Sequence, residues 1–290
     1  MADATPPAPH ATFGAGLWQA ACTHPTVAIG AALLALIALS GIAAPLLTVH
    51  DPQAIDPLNS MAPSTAENLL GTDHLGRDVL SRILYGTRVS LAVGTLVAAI
   101  ATVVGLAIGI LAGFVRLLDA VVMRVMDGLM SIPAVLFAIA LMAVFRASVE
   151  TVVIALAIVE VPRVVRLVRS VVLTLRELPF VEGAIVSGST LPAILWRHIL
   201  PNTLAPLTVQ ATYIAASAII VEAALSFLGA GTPPEIPSWG NMMAESRAFF
   251  LLDPALTLMP GVALTITVLA VNMLGDGLRD GLDPRLQGRL

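Results

Sequence analysis

Five stretches of the chain, Thr26 to Leu47, Val89 to Val115, Gly128 to Phe145, Thr203 to Val221 and Pro254 to Gly275, run without a single charged side chain. A helix needs about 20 apolar residues to cross roughly 30 Å of hydrocarbon, and a helix is the structure in which the backbone satisfies its own polar groups there. The chain therefore reads as an all-α integral membrane protein. A sixth stretch, Thr151 to about Val171, is apolar in its first half and carries Glu160, Arg163, Arg166 and Arg169 in its second. Its arginines recur every third position, a one-sided stripe that can snorkel or face protein, and it is taken as a sixth span. Composition agrees: 12% of residues are charged, about half the fraction usual in soluble domains.

All 15 basic residues are arginine and none is lysine. A phosphate-binding loop of the G-x-x-x-x-G-K-[ST] type is thereby excluded from this chain, so any ATP that drives it binds to another subunit. Six spans place both termini on one side. With that side cytoplasmic, Arg116, Arg124, Arg163, Arg166, Arg169, Arg176, Arg197, Arg279, Arg285 and Arg289 lie inside, and Arg77, Arg82, Arg88, Arg146 and Arg247 lie outside. This excess follows the positive-inside rule.

The expected organisation is a cytoplasmic tail over 1–25, a first span over 26–47, an outer segment over 48–88, a core over 89–275 with a cytoplasmic loop at 176–202, and a tail over 276–290. The first span is too long for a signal-peptide core and lacks a basic flank, so it is expected to remain. The outer segment is expected to hold a short amphipathic helix from Gly76 to about Leu84, capped by Asp73. The single cysteine, Cys22, reads as a small apolar filler. The net charge of −4 names no partner, and no nucleic acid is expected.

Ionisable groups at membrane depth usually mark transport paths. Asp119 and Asp127 stand two turns apart on one helical face, with Arg124 placed to pair with Asp127. They read either as interfacial charges or as part of a gate. Glu160, with Arg163 one turn on, reads as a pathway group or a structural ion pair. Glu222 reads as a cap facing the following loop or as a lumen group. Gly105, Gly109 and Gly113 leave a groove for close approach of another helix, and Pro133 and Pro162 are candidate kinks. All five histidines fall outside the spans, and no nucleophile is placed with a histidine, so no catalytic constellation emerges. Asp73, His74 and Asp78 offer oxygen and imidazole ligands to a metal, but capping by Asp73 is the simpler reading, and no metal is assigned.

The most organised polar interruption lies between Pro179 and Pro201. A short helix is expected near Pro179-Phe180, with a break at Ser187-Gly188-Ser189, a restart at Thr190-Leu191-Pro192 and a stop at Pro201. Such a hinged helical pair suits docking on another protein.

Glu182-Gly183-Ala184, Gly188 and His198-Ile199-Leu200-Pro201 resemble the coupling motif of ABC importer permeases: E-A-A, three residues, G, nine residues, I-x-L-P. Gly183 stands where alanine is usual and His198 where isoleucine is usual. Gly71-Thr72-Asp73-His74-Leu75-Gly76-Arg77-Asp78, Glu222-Ala223-Ala224-Leu225-Ser226-Phe227-Leu228-Gly229 with Pro237-Ser238-Trp239-Gly240, and Gly275-Asp276-Gly277-Leu278-Arg279-Asp280 resemble the dipeptide, oligopeptide and nickel permeases, most closely their second, C-type chain. Glu160, just before Pro162, departs from that pattern.

The resemblance implies the type I importer architecture of six transmembrane helices with a cytoplasmic coupling helix, in the bacterial inner membrane. It implies a second permease chain, two ATPase subunits that carry the ATP and Mg, and an extracytoplasmic solute-binding protein, with no cofactor in this chain. Glu182 would make polar contacts with the ATPase, and Ile199 and Leu200 would pack the coupling helix. Pro233, Pro234 and Trp239 are expected at the docking face for the binding protein. Peptides are the expected cargo, with nickel, glutathione or another small solute as alternatives. A secondary transporter or a structural membrane subunit is the alternative of another class. The former would show internal repeats, of which there are none here, and the latter has no need of the coupling segment.

Overall fold

The computed structural model describes residues 25–282. Most of both expected tails, and Cys22, lie outside them. The described chain is helical, in the order α1 (Pro25–Ile42), α2 (Ala44–Leu47), α3 (Val79–Phe114), α4 (Arg116–Met130), α5 (Ala134–Val144), α6 (Val149–Leu175), α7 (Pro179–Val186), α8 (Leu191–Ile194), α9 (Leu200–Phe227), α10 (Trp239–Ser246) and α11 (Ala255–Leu282).

The glycine groove on α3 is filled by valines of α6. A methyl carbon added to Gly105 would stand 2.5 Å from Val164 Cβ, one on Gly109 2.7 Å from Val168 Cβ, and one on Gly113 2.6 Å from Val172 Cγ1. Each partner advances by four residues with its glycine, so the two helices run parallel and touch along successive turns. Both β-branching and glycine favour this contact: valine, already held to one rotamer by the helix, loses little further freedom on packing, and glycine removes the side chain that would hold the backbones apart. At the end of the contact the Arg176 guanidinium donates to the Gly113 carbonyl at 3.1 Å. Val161, Val164, Val165, Val168 and Val172 are all buried.

The other long helices gather around this pair. Gly94 of α3 lies against Ile219 of α9, and Gly30 of α1 lies against the backbone of α11 at Ala270 and Leu274. The Arg88 side chain donates to the carbonyls of Gly41 at 2.6 Å and Ile42 at 2.9 Å. It thus satisfies carbonyl groups that the end of α1 leaves without a helical partner.

Among the described residues, four helices are long and apolar enough to cross a membrane: Pro25–Ile42, Val79–Phe114, Leu191–Phe227 and Ala255–Asp280. The pair α4 and α5, bent by 87°, makes a fifth when taken as one span. By composition α6 falls short because of Glu160 and its arginines, yet its 27 residues reach roughly 40 Å beside and parallel to α3. Most of its apolar surface is turned into protein.

Three expectations about boundaries are corrected. The third span is not a straight helix from Gly128 to Phe145. It breaks at Ser131–Pro133, because Pro133 has no amide hydrogen to continue the ladder and starts α5 instead. The short amphipathic helix at Gly76–Leu84 is not separate from the second span, since α3 runs unbroken for 36 residues from Val79. Its cap is Asp78, whose carboxylate accepts from the Ser81 amide at 2.7 Å, and not Asp73. The last helix likewise continues past Gly275 to Leu282. Pro162 does not interrupt α6.

Gly109→Leu should overpack the α3–α6 contact, which costs about 1–3 kcal/mol or more where the neighbour is backbone and cannot yield. The expected result is a lower melting temperature and a smaller yield of monodisperse protein in detergent. Gly109→Ala with Val168→Ala should recover most of the loss, and recovery equal to that of Gly109→Ala alone would show that Val168 is not the partner.

Candidate functional site

The segment from Pro179 to Pro201 stands at the end of the bundle where α3 and α6 terminate, opposite the end that carries residues 48–78. Its first helix, α7, begins with Pro179 at its first position, where a missing amide hydrogen costs nothing. Glu182 lies in the first turn, where a negative charge suits the helix dipole. Val181 is fully buried and Ala184 half-buried, while Glu182, Gly183, Ile185 and Val186 are exposed. One face therefore anchors α7 and the other is presented outward.

Gly188 ends the helix. Its φ is +80°, in the left-handed region, and the amides of Gly188 and Ser189 donate to the carbonyls of Ile185 at 2.9 Å and Ala184 at 3.0 Å. This pair of bonds is the Schellman arrangement, which closes a helix and turns the chain sharply. A methyl carbon at Gly188 would meet nothing within 4 Å, so glycine is required here by backbone angle and not by space.

Beyond the turn, Thr190 leads into α8, and Leu195–Ile199 forms one π-helical turn before α9. Pro201 was expected to stop the segment, but the chain passes through it into the long helix. The widened turn, closed by the Leu200 amide on the Leu195 carbonyl, accommodates a proline that has no hydrogen to donate one turn back. Asn202 Nδ2 donates to the His198 carbonyl at 2.7 Å. Ile199 and Ile194 are buried, Leu200 and His198 are half-buried, and Pro201 is exposed. The His198 ring lies against Phe180 of α7, with centroids 5.9 Å apart. The two arms of the hairpin thus share one apolar seam, and the second arm is continuous with a span that reaches the far end of the bundle.

The charged candidates are brought together differently from the sequence expectation. Asp127 pairs with Arg166 of α6 at 2.5 Å, not with Arg124, which is exposed. Asp119 pairs with Arg169, whose Nη2 donates to Oδ2 at 2.7 Å. Two rungs therefore fasten α4 to α6. The spacing within α4 could not reveal this, because the partners are about 40 and 50 positions away in the chain. Glu160 is buried and accepts from Arg163 at 2.9 Å and 3.0 Å, a local ion pair as the spacing suggested.

Glu222 is fully buried. Its carboxyl accepts from the Ser226 hydroxyl at 2.8 Å, and Ser226, Thr232, Ser238 and Asn241 continue the network into the loop before α10. Trp239 is also fully buried, its indole donating to the Ile83 carbonyl at 3.2 Å, so it has no surface to offer a docking partner. Pro234 is exposed and Pro233 half-buried in the same loop.

The outer segment is held by a charge cluster that the sequence did not reveal. Arg77 donates to Asp73 at 2.6 Å and to Glu245 of α10 at 2.5 Å, and Arg82 reaches the same Glu245 at 3.0 Å. Asp73 is thus occupied by Arg77, Asp78 by capping, and His74 by stacking on Phe249 at 5.1 Å. A metal would have to displace all three.

Residues 105–288 match the family described as the binding-protein-dependent transport system inner membrane component. The chain is 52% identical to a probable peptide ABC transporter permease protein of Sinorhizobium fredii, over 92% of this chain and 91% of that one. It is 42% identical to a dipeptide transport system permease protein of Alkalihalophilus pseudofirmus, with 89% and 86% covered. A glutathione transport system permease protein of Pectobacterium atrosepticum is 41% identical, with 91% and 88% covered. Among solved structures, an inward-facing conformation of the MetNI methionine ABC transporter aligns with TM-score 0.57 at 20% identity, covering 69% of this chain and 96% of that one. At that identity it speaks for the fold alone.

Gly188→Val should strain the turn by about 1–2 kcal/mol, the cost of a left-handed angle for a residue with a Cβ, whereas Gly188→Asn should be mild. Local hydrogen exchange at Ile185–Ser189 in the purified protein measures this, with faster exchange expected for valine and near-native exchange for asparagine.

Proposed function

The chain belongs to the family of binding-protein-dependent transport system inner membrane components, and from that premise we propose that it forms half of a peptide-conducting pathway and takes up the motion of separate ATPases through α7 and α8. As a member of that family it is a multi-pass permease subunit of an ABC importer. The proposed assembly has a second permease chain beside it, two ATPases carrying ATP and Mg on the α7 side, and a solute-binding protein on the side of residues 48–78. In the proposed orientation both termini lie in the cytoplasm, a reading that the arginine excess on that side supports.

The observation that carries this reading is the build of the hinge. An exposed helix with an outward glutamate is joined through a rigid turn to a helix that continues without a break from Leu191 to Phe227. Displacement of α7 by a partner is therefore transmitted along about 37 residues to the far end of the bundle. Closure of the ATPases would supply the free-energy difference between the two access states, which a carrier needs and which this lysine-free chain has no phosphate loop to supply. In this scheme Glu182 contacts the ATPase, Gly183 keeps the outward face low, and Val181, Ile199 and the Phe180–His198 contact keep the hairpin stiff.

Peptide is the proposed cargo, because relatives across the length of this chain are named for peptide or dipeptide transport. Glutathione, itself a modified tripeptide, falls in the same chemical class.

The test is ATP-dependent peptide uptake by the assembled transporter. Glu182→Ala should reduce uptake by roughly tenfold, the loss of one charge-assisted contact, and Gly188→Pro should abolish it, with the chain still inserted and co-purifying with its second permease. Normal uptake by both variants would remove the coupling role.

A further inference from the structure

In the half of α6 that leads toward α7, every exposed residue is polar: Arg163, Arg166, Ser170 and Thr174. Their spacing of three, four and four puts them on one face of the helix. The opposite face of the same stretch carries the buried valines Val164, Val165, Val168 and Val172, and Leu167, Arg169, Val171 and Leu173 are half-buried between the two. Another helix of this chain provides the contrast. From Leu96 to Leu111 every exposed residue of α3 is aliphatic, Leu96, Ile100, Val103, Val104 and Leu111 among them. A face turned to lipid looks like α3, because exposed polar groups in hydrocarbon are costly.

Depth supports the distinction. Arg163 stands 14 residues into a helix that begins at Val149, roughly 21 Å along its axis, and adjoins Val164, which packs on Gly105 inside the charge-free stretch of α3 from Val89 to Val115. Arg163 and Arg166 have side chains 42% and 43% exposed, and Asp127, which pairs with Arg166, is 56% exposed. Each guanidinium is only partly used. Arg163 engages Glu160 through Nη1 alone, and Arg166 engages Asp127 through Nη2 alone, which leaves N–H donors of both directed away from these pairs among the described residues.

We propose that this stripe is a wall of the water-filled route through the transporter, and that Arg163 and Arg166 receive the terminal carboxylate of the cargo as it passes. The planar guanidinium fork matches a carboxylate, and two of them one turn apart give a carboxylate a place to transfer from one to the other. Each arginine keeps its own acidic partner, so the site is close to neutral and holds an anion weakly enough to release it. The assignment of a carboxylate rests on the peptide reading above; the assignment of the wall does not.

Two measurements on the complete transporter in proteoliposomes test the two parts. In a Cys22→Ser background, Arg166→Cys and the pair Glu160→Gln with Arg163→Cys should react with a membrane-impermeant charged maleimide, while Val103→Cys should stay unreacted. The second variant removes the buried acid together with its partner, so no unpaired carboxylate is left to unfold the helix. Cysteines at 163 and 166 as unreactive as Val103→Cys would overturn the wall and place this face against lipid or the second permease chain.

For the carboxylate, uptake of a dipeptide is compared with uptake of its amidated form. The ratio should fall by roughly tenfold in Glu160→Gln/Arg163→Gln/Arg166→Gln, the worth of one charge-assisted hydrogen bond. Selection by the binding protein is common to both transporters and cancels in the comparison. An unchanged ratio would overturn the carboxylate site. If the unaltered transporter takes up neither form, the peptide reading falls, and the labelling pattern still decides the wall.

Discussion

The contact of three glycines on α3 with three valines on α6 sets the geometry that the rest of the molecule uses. Because Gly105, Gly109 and Gly113 meet Val164, Val168 and Val172 in the same order, the two helices are locked parallel and in register. A membrane provides little hydrophobic drive between helices, so close van der Waals packing must hold them, and only glycine lets the backbones come near enough. With α6 fixed against α3, its arginines are turned away from α3 toward α4 and toward the open side. The pairs Asp119–Arg169 and Asp127–Arg166 then fasten the first limb of a bent span whose Met126, Ala138 and Met142 also pack into the core.

The same packing sets two differently built ends along one axis. At one end, Arg77, Arg82, Asp73 and Glu245 knit the outer segment to α10, and buried Glu222, through Ser226, ties the end of α9 to the loop that follows it. These groups make a firm cap. At the other end, the α7–α8 hairpin keeps one apolar seam inside and leaves Glu182 outside together with Ile185, Val186 and Leu191. The long helix from Leu191 to Phe227 connects the two ends, so a push on the hairpin has a stiff path to the cap.

How much of this could be read beforehand varied with the range of the interaction. The helical nature of the spans, the glycine groove, the Glu160–Arg163 pair and the break at Gly188 are local: each rests on residues within a turn or two, and each was found as expected. The partners of Asp119 and Asp127 were not, because helical spacing offers only neighbours on the same helix and Arg124 was the nearest candidate. Trp239 looked like an exposed loop aromatic, but Gly86 on α3 leaves room for its ring and Ile83 accepts its hydrogen. Nothing near Trp239 in sequence signals either contact. Pro201 looked like a stop because proline usually is one; a π-turn before it absorbed the missing bond.

The amino-acid sequence by itself determined the solvent of this protein, the places of most of its helices and the turn at Gly188. Those follow from hydropathy, from backbone preferences of glycine and proline, and from motif spacing, all short-range properties. The tertiary structure decided which charges meet, which polar side chains are sealed in and which face of α6 stays open. Those depend on how helices far apart in the chain come to lie side by side, and burial and ion pairing are properties of that arrangement, not of any single segment.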